Sequence, residues 1–181
     1  MMRKIAIPYG KKEIEFSIPE HNFSEYLEPN VPVLPENDYR EAERAFDNPV
    51  GSEQIEKIVR STDKVVILCE DITRYAQTEV MLSVLVERLK RAGVPDSNIT
   101  IVMALGSHRP MTDEEKITKV GKEIFQRFEV INSENKNKDK LVDAGMTPDG
   151  VRVWLDHRVY ASDFKSGGGS NETVSYTKLT L

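Results

Sequence analysis

Two short polar strings hold most of the side chains able to do chemistry in this 181-residue sequence: Glu70-Asp71-Ile72-Thr73-Arg74 and Gly106-Ser107-His108-Arg109-Pro110. Together they offer carboxylates, hydroxyls, two guanidiniums and an imidazole. An arginine grips a carboxylate or phosphate through two parallel hydrogen bonds. A histidine titrates near neutral pH, so His108 is suited to take a hydroxyl proton and return it. Asp71 could fix an imidazole tautomer or accept from a ribose hydroxyl. Gly106 allows close backbone approach to a ligand, and the amides opening a helix after Pro110 would favour an anion.

Each string follows a strand-length apolar run, residues 64–69 (KVVILC) and 99–105 (ITIVMAL). Uninterrupted apolar runs of this length are expected for parallel strands buried on both faces. Between them, Val80, Met81, Val84, Leu85 and Leu89 recur at helical spacing, and Gly93 and Pro95 close that helix. A strand-helix-strand unit follows, and its strand polarity puts both polar strings on one edge of the sheet, where open α/β sheets bind ligands. Thr112 and Glu115 form a capping-box signature for the next helix. Residues 128–132 (FEVIN) read as a third parallel strand.

The remaining elements are simpler. Residues 3–8 and 13–18 read as a hairpin around Tyr9-Gly10-Lys11-Lys12. From Pro19 to Pro35 four prolines suggest an extended connection, with helices expected over about 39–46 and 52–60. Residues 141–146 and 151–155 form a second expected hairpin around Thr147-Pro148-Asp149-Gly150. The fold class is therefore α/β: a Rossmann-like domain over 1–164, with a central mostly parallel sheet flanked by helices and an N-terminal β-hairpin. Gly167-Gly168-Gly169-Ser170 has flexible-linker composition, so 165–181 reads as a linker-like tail.

Composition narrows the function. Twenty-five basic against 30 acidic side chains give a net charge of −5 without a basic cluster, which argues against nucleic acid as partner. No run approaches the roughly 18 apolar residues that span a bilayer, and the first residues do not read as a signal peptide. A cytoplasmic address is the expectation. The single cysteine, Cys69, excludes an internal disulfide and reads as a small buried apolar residue. His21 and His157 read as surface residues, Trp154 as packing, and the Glu/Lys-rich run 113–122 as a solvated helix face. Local readings compete at the two strings as well. An Asp-x-Thr-Arg turn can serve only to bond its own amides, and a histidine at a strand end can be merely exposed.

The chemistry-bearing strings resemble the nickel-dependent lactate racemase family. The resemblance is carried in order by Ile5-Ala6-Ile7-Pro8-Tyr9-Gly10, Asp47-Asn48-Pro49-Val50-Gly51-Ser52, Asp71-Ile72-Thr73-Arg74 and Gly106-Ser107-His108-Arg109-Pro110-Met111-Thr112-Asp113-Glu114-Glu115, and it extends to about Phe164. The Gly-x-His-Arg-Pro-x-Thr-x-Glu-Glu string is its most specific part. The resemblance implies an isomerase that uses a nickel-pincer nucleotide, a pyridinium mononucleotide holding nickel, to racemise a small 2-hydroxy acid such as lactate. One histidine takes the hydroxyl proton while hydride leaves the central carbon for the cofactor; a second assists from the other face. By motif position His108 matches one catalytic histidine. Asp71, Ile72, Thr73 and Arg74 match the cofactor-binding loop, Arg74 also falls close to the substrate, and Arg109 lies within the motif as a further substrate-binding candidate.

Beyond the equivalent of Phe164 the family carries a second catalytic histidine, a glycine-rich segment with the cofactor-tethering lysine, and a nickel-ligating histidine. In this sequence no histidine follows His157, and Lys165 precedes its glycines. No metal ligand is expected here, and neither the tethering lysine nor the family's C-terminal domain is found. The expectation is the N-terminal cofactor- and substrate-binding portion of such an enzyme, incomplete and inactive alone. A non-catalytic module binding a nucleotide or small anion through the same loops, or an interaction domain with a vestigial site, are the alternatives.

Overall fold

The computed structural model describes residues 1–27 and 37–169. Residues 28–36, which include the end of the proline-rich connection, and residues 170–181 of the tail lie outside the described residues. The chain divides into two compact units, Met1–Pro35 and Glu36–Leu181. The first is the expected hairpin: β1 (Met2–Tyr9) pairs antiparallel with β2 (Lys12–Pro19). Gly10 takes a φ of 61° in the two-residue turn, a conformation open to glycine at little cost.

The second unit is built on a four-stranded parallel sheet in the order β5-β4-β3-β8, from β3 (Val65–Glu70), β4 (Ile99–Ala104), β5 (Glu129–Asn132) and β8 (Phe164–Gly168). Alternate residues of the central strands serve two cores. Val65, Ile67, Cys69, Ile101 and Met103 pack on one face against Leu82, Leu85, Val86 and Leu89 of α3 (Thr78–Arg91), Val120 of α4 (Asp113–Val120) and Ile124 of α5 (Lys122–Arg127). On the other face Val66 and Val102 meet Val159 of α6 (His157–Ala161). Burial on both faces explains why β3 and β4 are apolar at all but one position each rather than alternating. Two helices precede the sheet, α1 (Asp38–Asp47) and α2 (Ile55–Ile58), the latter shorter than expected. The second hairpin forms as β6 (Leu141–Met146) and β7 (Arg152–Asp156).

Two differences from expectation have physical causes. The helical region after Thr112 breaks at Gly121, whose φ of 86° favours glycine and where a Cβ would come within 2.4 Å of the Glu79 carboxylate. The glycines of the supposed linker are ordered: Gly167 and Gly168 lie in β8, paired with Leu68 and Cys69 of β3. A domain boundary at Phe164 would cut this strand at its first residue. Composition misleads here because the ordering partner is remote in sequence; Asp163 anchors the strand by accepting from the Lys64 amide at 2.9 Å.

At the end of the second hairpin, burial alone would raise the Asp156 carboxyl, but the Arg158 guanidinium and the amides of Glu134 and Arg158 override it and hold it down to about 2. Because the folded value lies below the ordinary 3.8, the stabilisation is complete above that pH and is lost as pH falls toward about 2. Asp156→Asn is expected to lower the melting temperature at neutral pH and flatten its decline in that acid window, as read by thermal unfolding across pH.

Candidate functional site

The polar strings emerge at the carboxyl ends of β3 and β4, as the strand polarity required. The β3 string makes a tight turn. Asp71 Oδ1 accepts from the Thr73 amide at 3.0 Å and from Thr73 Oγ1 at 2.6 Å, and the Arg74 amide donates to the Asp71 carbonyl at 3.2 Å. Ile72 turns inward to pack on the core and anchors the loop. The β4 string turns through Gly106 at a φ of 56°, and the His108 amide donates to the Leu105 carbonyl at 2.9 Å.

These turns bring Asp71 Oδ2 against His108 Nδ1 across 37 residues of sequence. Asp71 is nearly buried, whereas the His108 side chain is 52% exposed. Burial pushes the Asp71 carboxyl up, yet the hydrogen bonds from Thr73 and His108 more than offset it and leave it below its ordinary value. An ionised carboxylate only accepts, so the hydrogen on a neutral His108 ring belongs on Nδ1. Nε2 then carries the lone pair and is the nitrogen available as a base.

Asp71, Arg74, Gly106, Ser107 and His108 line one cavity of about 290 Å³, joined by Glu70, Ala104 and Leu105. Arg74 is exposed, and among the described residues its guanidinium makes no hydrogen bond or ion pair. The three residues expected to converge do so. Arg109 does not join them: its guanidinium is held by Glu115 at 2.6 and 2.8 Å and by the Pro110 carbonyl at 3.0 Å. The Arg109 guanidinium, followed by the Thr112 amide, holds the Glu115 carboxyl down to about 2. The Glu115 carboxylate closes the capping box of α4 by accepting from Thr112 at 2.9 Å. Arg109 therefore braces the start of α4 and is absent from the lining of this cavity.

Several supports were illegible in sequence. Ser133 Oγ accepts from the Leu105 amide at 3.1 Å, the Asn135 side-chain amide donates to the Gly106 carbonyl, and Asn132 exchanges two bonds with the Met111 backbone. All three residues lie at or just beyond the end of β5, the strand beside β4. Lys119, read as part of a solvated face, is buried; its Nζ donates to Glu70 Oε1 at 2.9 Å and to the Arg74 carbonyl at 2.7 Å. Other candidates lie elsewhere. Cys69 is buried with its thiol pushed up to about 12, chiefly by desolvation. His21 is exposed in the first unit, and His157 sits at the start of α6 with Nδ1 against the Lys140 carbonyl. Trp154 is half exposed rather than packed, beside Lys136 and Lys138. A larger groove of about 450 Å³ lined by Phe46, Ile55, Met81 and Phe164 holds no imidazole or guanidinium, so its size does not make it the reactive site. Among the described residues no helix is long and apolar enough to cross a membrane, and no trio of His, Cys, Asp or Glu could hold a metal ion.

The chain is similar to known proteins in sequence and in fold. The lactate racemase N-terminal domain family matches residues 9–172. A lactate racemase of Lactiplantibacillus plantarum is 30% identical over 151 residues, which cover 82% of this chain and 35% of that protein. One from Thermoanaerobacterium thermosaccharolyticum is 24% identical over 164 residues, covering 90% of this chain and 38% of that protein. The chain thus spans little more than a third of the length of these curated relatives. The lactate racemase apoprotein of T. thermosaccharolyticum superposes with a TM-score of 0.78 at 22% identity, over 91% of this chain and 38% of that one. A Thermotoga maritima protein gives 0.53 at 22% identity, over 77% and 33%. At these identities the structural likenesses establish the fold.

Proposed function

This chain belongs to the lactate racemase N-terminal domain family, and on that premise we propose that its cleft is the N-terminal share of a 2-hydroxy-acid racemase site. The observation that carries the proposal is the Asp71–His108 pair facing a cavity also lined by Arg74, whose guanidinium has no hydrogen bond or ion pair among the described residues. His108 Nε2 accepts the proton of the substrate hydroxyl and later returns it. Asp71 fixes the tautomer and stabilises the imidazolium that forms, as a buried carboxylate does in other histidine-based sites. Arg74 grips an anionic group of the cofactor or substrate. A small 2-hydroxy acid such as lactate is the substrate class and the cytoplasm the setting.

The cofactor implied by the family is the nickel-pincer nucleotide. Two features of the cavity suit its anionic, organic part: the Arg74 guanidinium, which has no hydrogen bond or ion pair among the described residues, and the Gly106 turn, which admits close approach. No described cluster supplies nickel ligands. When bound, the nucleotide supplies the hydride acceptor; this chain's residues orient the substrate and move its hydroxyl proton. Gly168 ends β8 opposite Cys69, one residue short of the Glu70 position that opens the site loop, so the chain leaves the sheet on the reactive edge. That exit supports the family pattern in which further site residues follow β8.

Titration calorimetry with nicotinic acid mononucleotide, a pyridinium mononucleotide, is expected to give one reversible site. The 181-residue chain incubated with one lactate enantiomer and activated cofactor is expected to give no racemisation and no covalent mass increase, because His108 is the only imidazole among the described residues that line the cleft. Turnover that His108→Ala abolishes would show a complete site in this chain. Binding without any dependence on Arg74 or His108 would favour a different site altogether.

A further inference from the structure

We infer that Lys119 is a positioning residue that sets where the Arg74 guanidinium stands, by holding both ends of the 71–74 loop from α4. The inference rests on the reading of the cleft given above. Lysine is almost never buried without a partner, and the Lys119 side chain is 5% exposed. Its ammonium spans the loop. One bond goes to Glu70, the last residue of β3, and another to the carbonyl of Arg74 itself. The same Glu70 oxygen accepts from the Ala76 amide at 3.0 Å, so the pair also ties down the segment leading into α3. Lys119 is absent from the cavity lining, so it acts through the loop and not on a ligand.

The position has a further consequence. The helix bearing Lys119 begins directly after the His108 string, behind the Thr112 and Glu115 cap. The two site loops are therefore joined twice, by the Asp71–His108 pair at the cleft and by Lys119 beneath it. Stability alone gives little reason for this arrangement, because replacing buried ion pairs with packed apolar groups is often neutral or stabilising. An ammonium offers three donors with freedom to rotate, which an apolar residue does not, and two of them meet the two ends of one loop.

The test compares Lys119→Met with the unsubstituted chain in two measurements. In amide hydrogen exchange, the Thr73, Arg74 and Ala76 amides are expected to exchange at least about tenfold faster, with buried α3 amides such as Leu85 within about twofold. In mononucleotide titration, Lys119→Met is expected to weaken affinity about tenfold with Arg74 present and less than about twofold in the Arg74→Ala background. Lys119→Arg, which keeps the charge and donors, is expected to recover part of the loss. A merely structural lysine would lower the melting temperature and give the same loss in both backgrounds. That result, or unchanged loop exchange, overturns the inference. Should the methionine variant not fold, Lys119→Gln is expected to move both readouts in the same direction. If the unsubstituted chain shows no affinity, the cofactor reading of the cleft fails, and loop exchange alone decides for or against Lys119.

Discussion

Arg74→Ala is expected to weaken binding of nicotinic acid mononucleotide by about ten- to a hundredfold while leaving the melting temperature almost unchanged. A hydrogen bond to a charged group contributes roughly 1.5–3 kcal/mol, and about 1.4 kcal/mol corresponds to a tenfold change in affinity. The Arg74 side chain is exposed and has no hydrogen bond or ion pair among the described residues, so its removal leaves no buried group unpartnered. Arg74→Lys should recover only part of the loss, since a point charge does not reproduce a two-pronged grip. Calorimetry on the three proteins checks the series. Equal affinity in all three would remove Arg74 from the site.

The largest stability loss outside the apolar core is expected at Arg88. Its side chain is 3% exposed and reaches Glu43 at 2.5 Å, Asp47 at 2.5 Å and Glu56 at 3.2 Å, joining α1 and α2 to α3. Breaking a buried pair by removing one partner costs about 3–5 kcal/mol. Glu43, Asp47 and Glu56 retain partial solvent access, which places Arg88→Ala at the lower end. Glu56 Oε2, buried and without a hydrogen-bond partner among the described residues, keeps the cost from falling further. For a chain of this length about 3 kcal/mol lowers the melting temperature by roughly 6–12 °C. Thermal unfolding at neutral pH reads this directly; a shift of less than about 2 °C would mean that the carboxylates rehydrate freely when the arginine goes.

The parts legible in sequence were those whose signals are local. Val65–Glu70 and Ile99–Ala104 declared themselves because a parallel strand covered on both faces is apolar at nearly every position. Thr112 and Glu115 announced the start of α4 because a capping box occupies four consecutive residues. From those elements alone, polarity put Asp71, Arg74 and His108 on one edge. What stayed hidden depends on partners remote in sequence. Nothing near Gly167 and Gly168 distinguishes a linker from a strand whose hydrogen bonds go to β3. Lys119 lies in a charged helix where only the tertiary fold separates a buried ammonium from solvated neighbours. Arg109 and Arg74 read alike as free guanidiniums until the fold brings Glu115 onto the first. Asn132, Ser133 and Asn135 gave no signal, because their bracing role exists only when β5 lies beside β4.

In the function proposed for this chain, one cleft between the 71–74 and 106–108 loops receives an anionic pyridinium nucleotide. Backbone amide NMR of the isotope-labelled chain during titration with nicotinic acid mononucleotide tests it most directly. Shifts confined to Asp71, Thr73, Arg74, Gly106, Ser107 and His108, and lost in Arg74→Ala, are the expected result. Shifts centred instead on the groove of Phe46, Ile55 and Phe164, or none up to millimolar nucleotide, would contradict the claim.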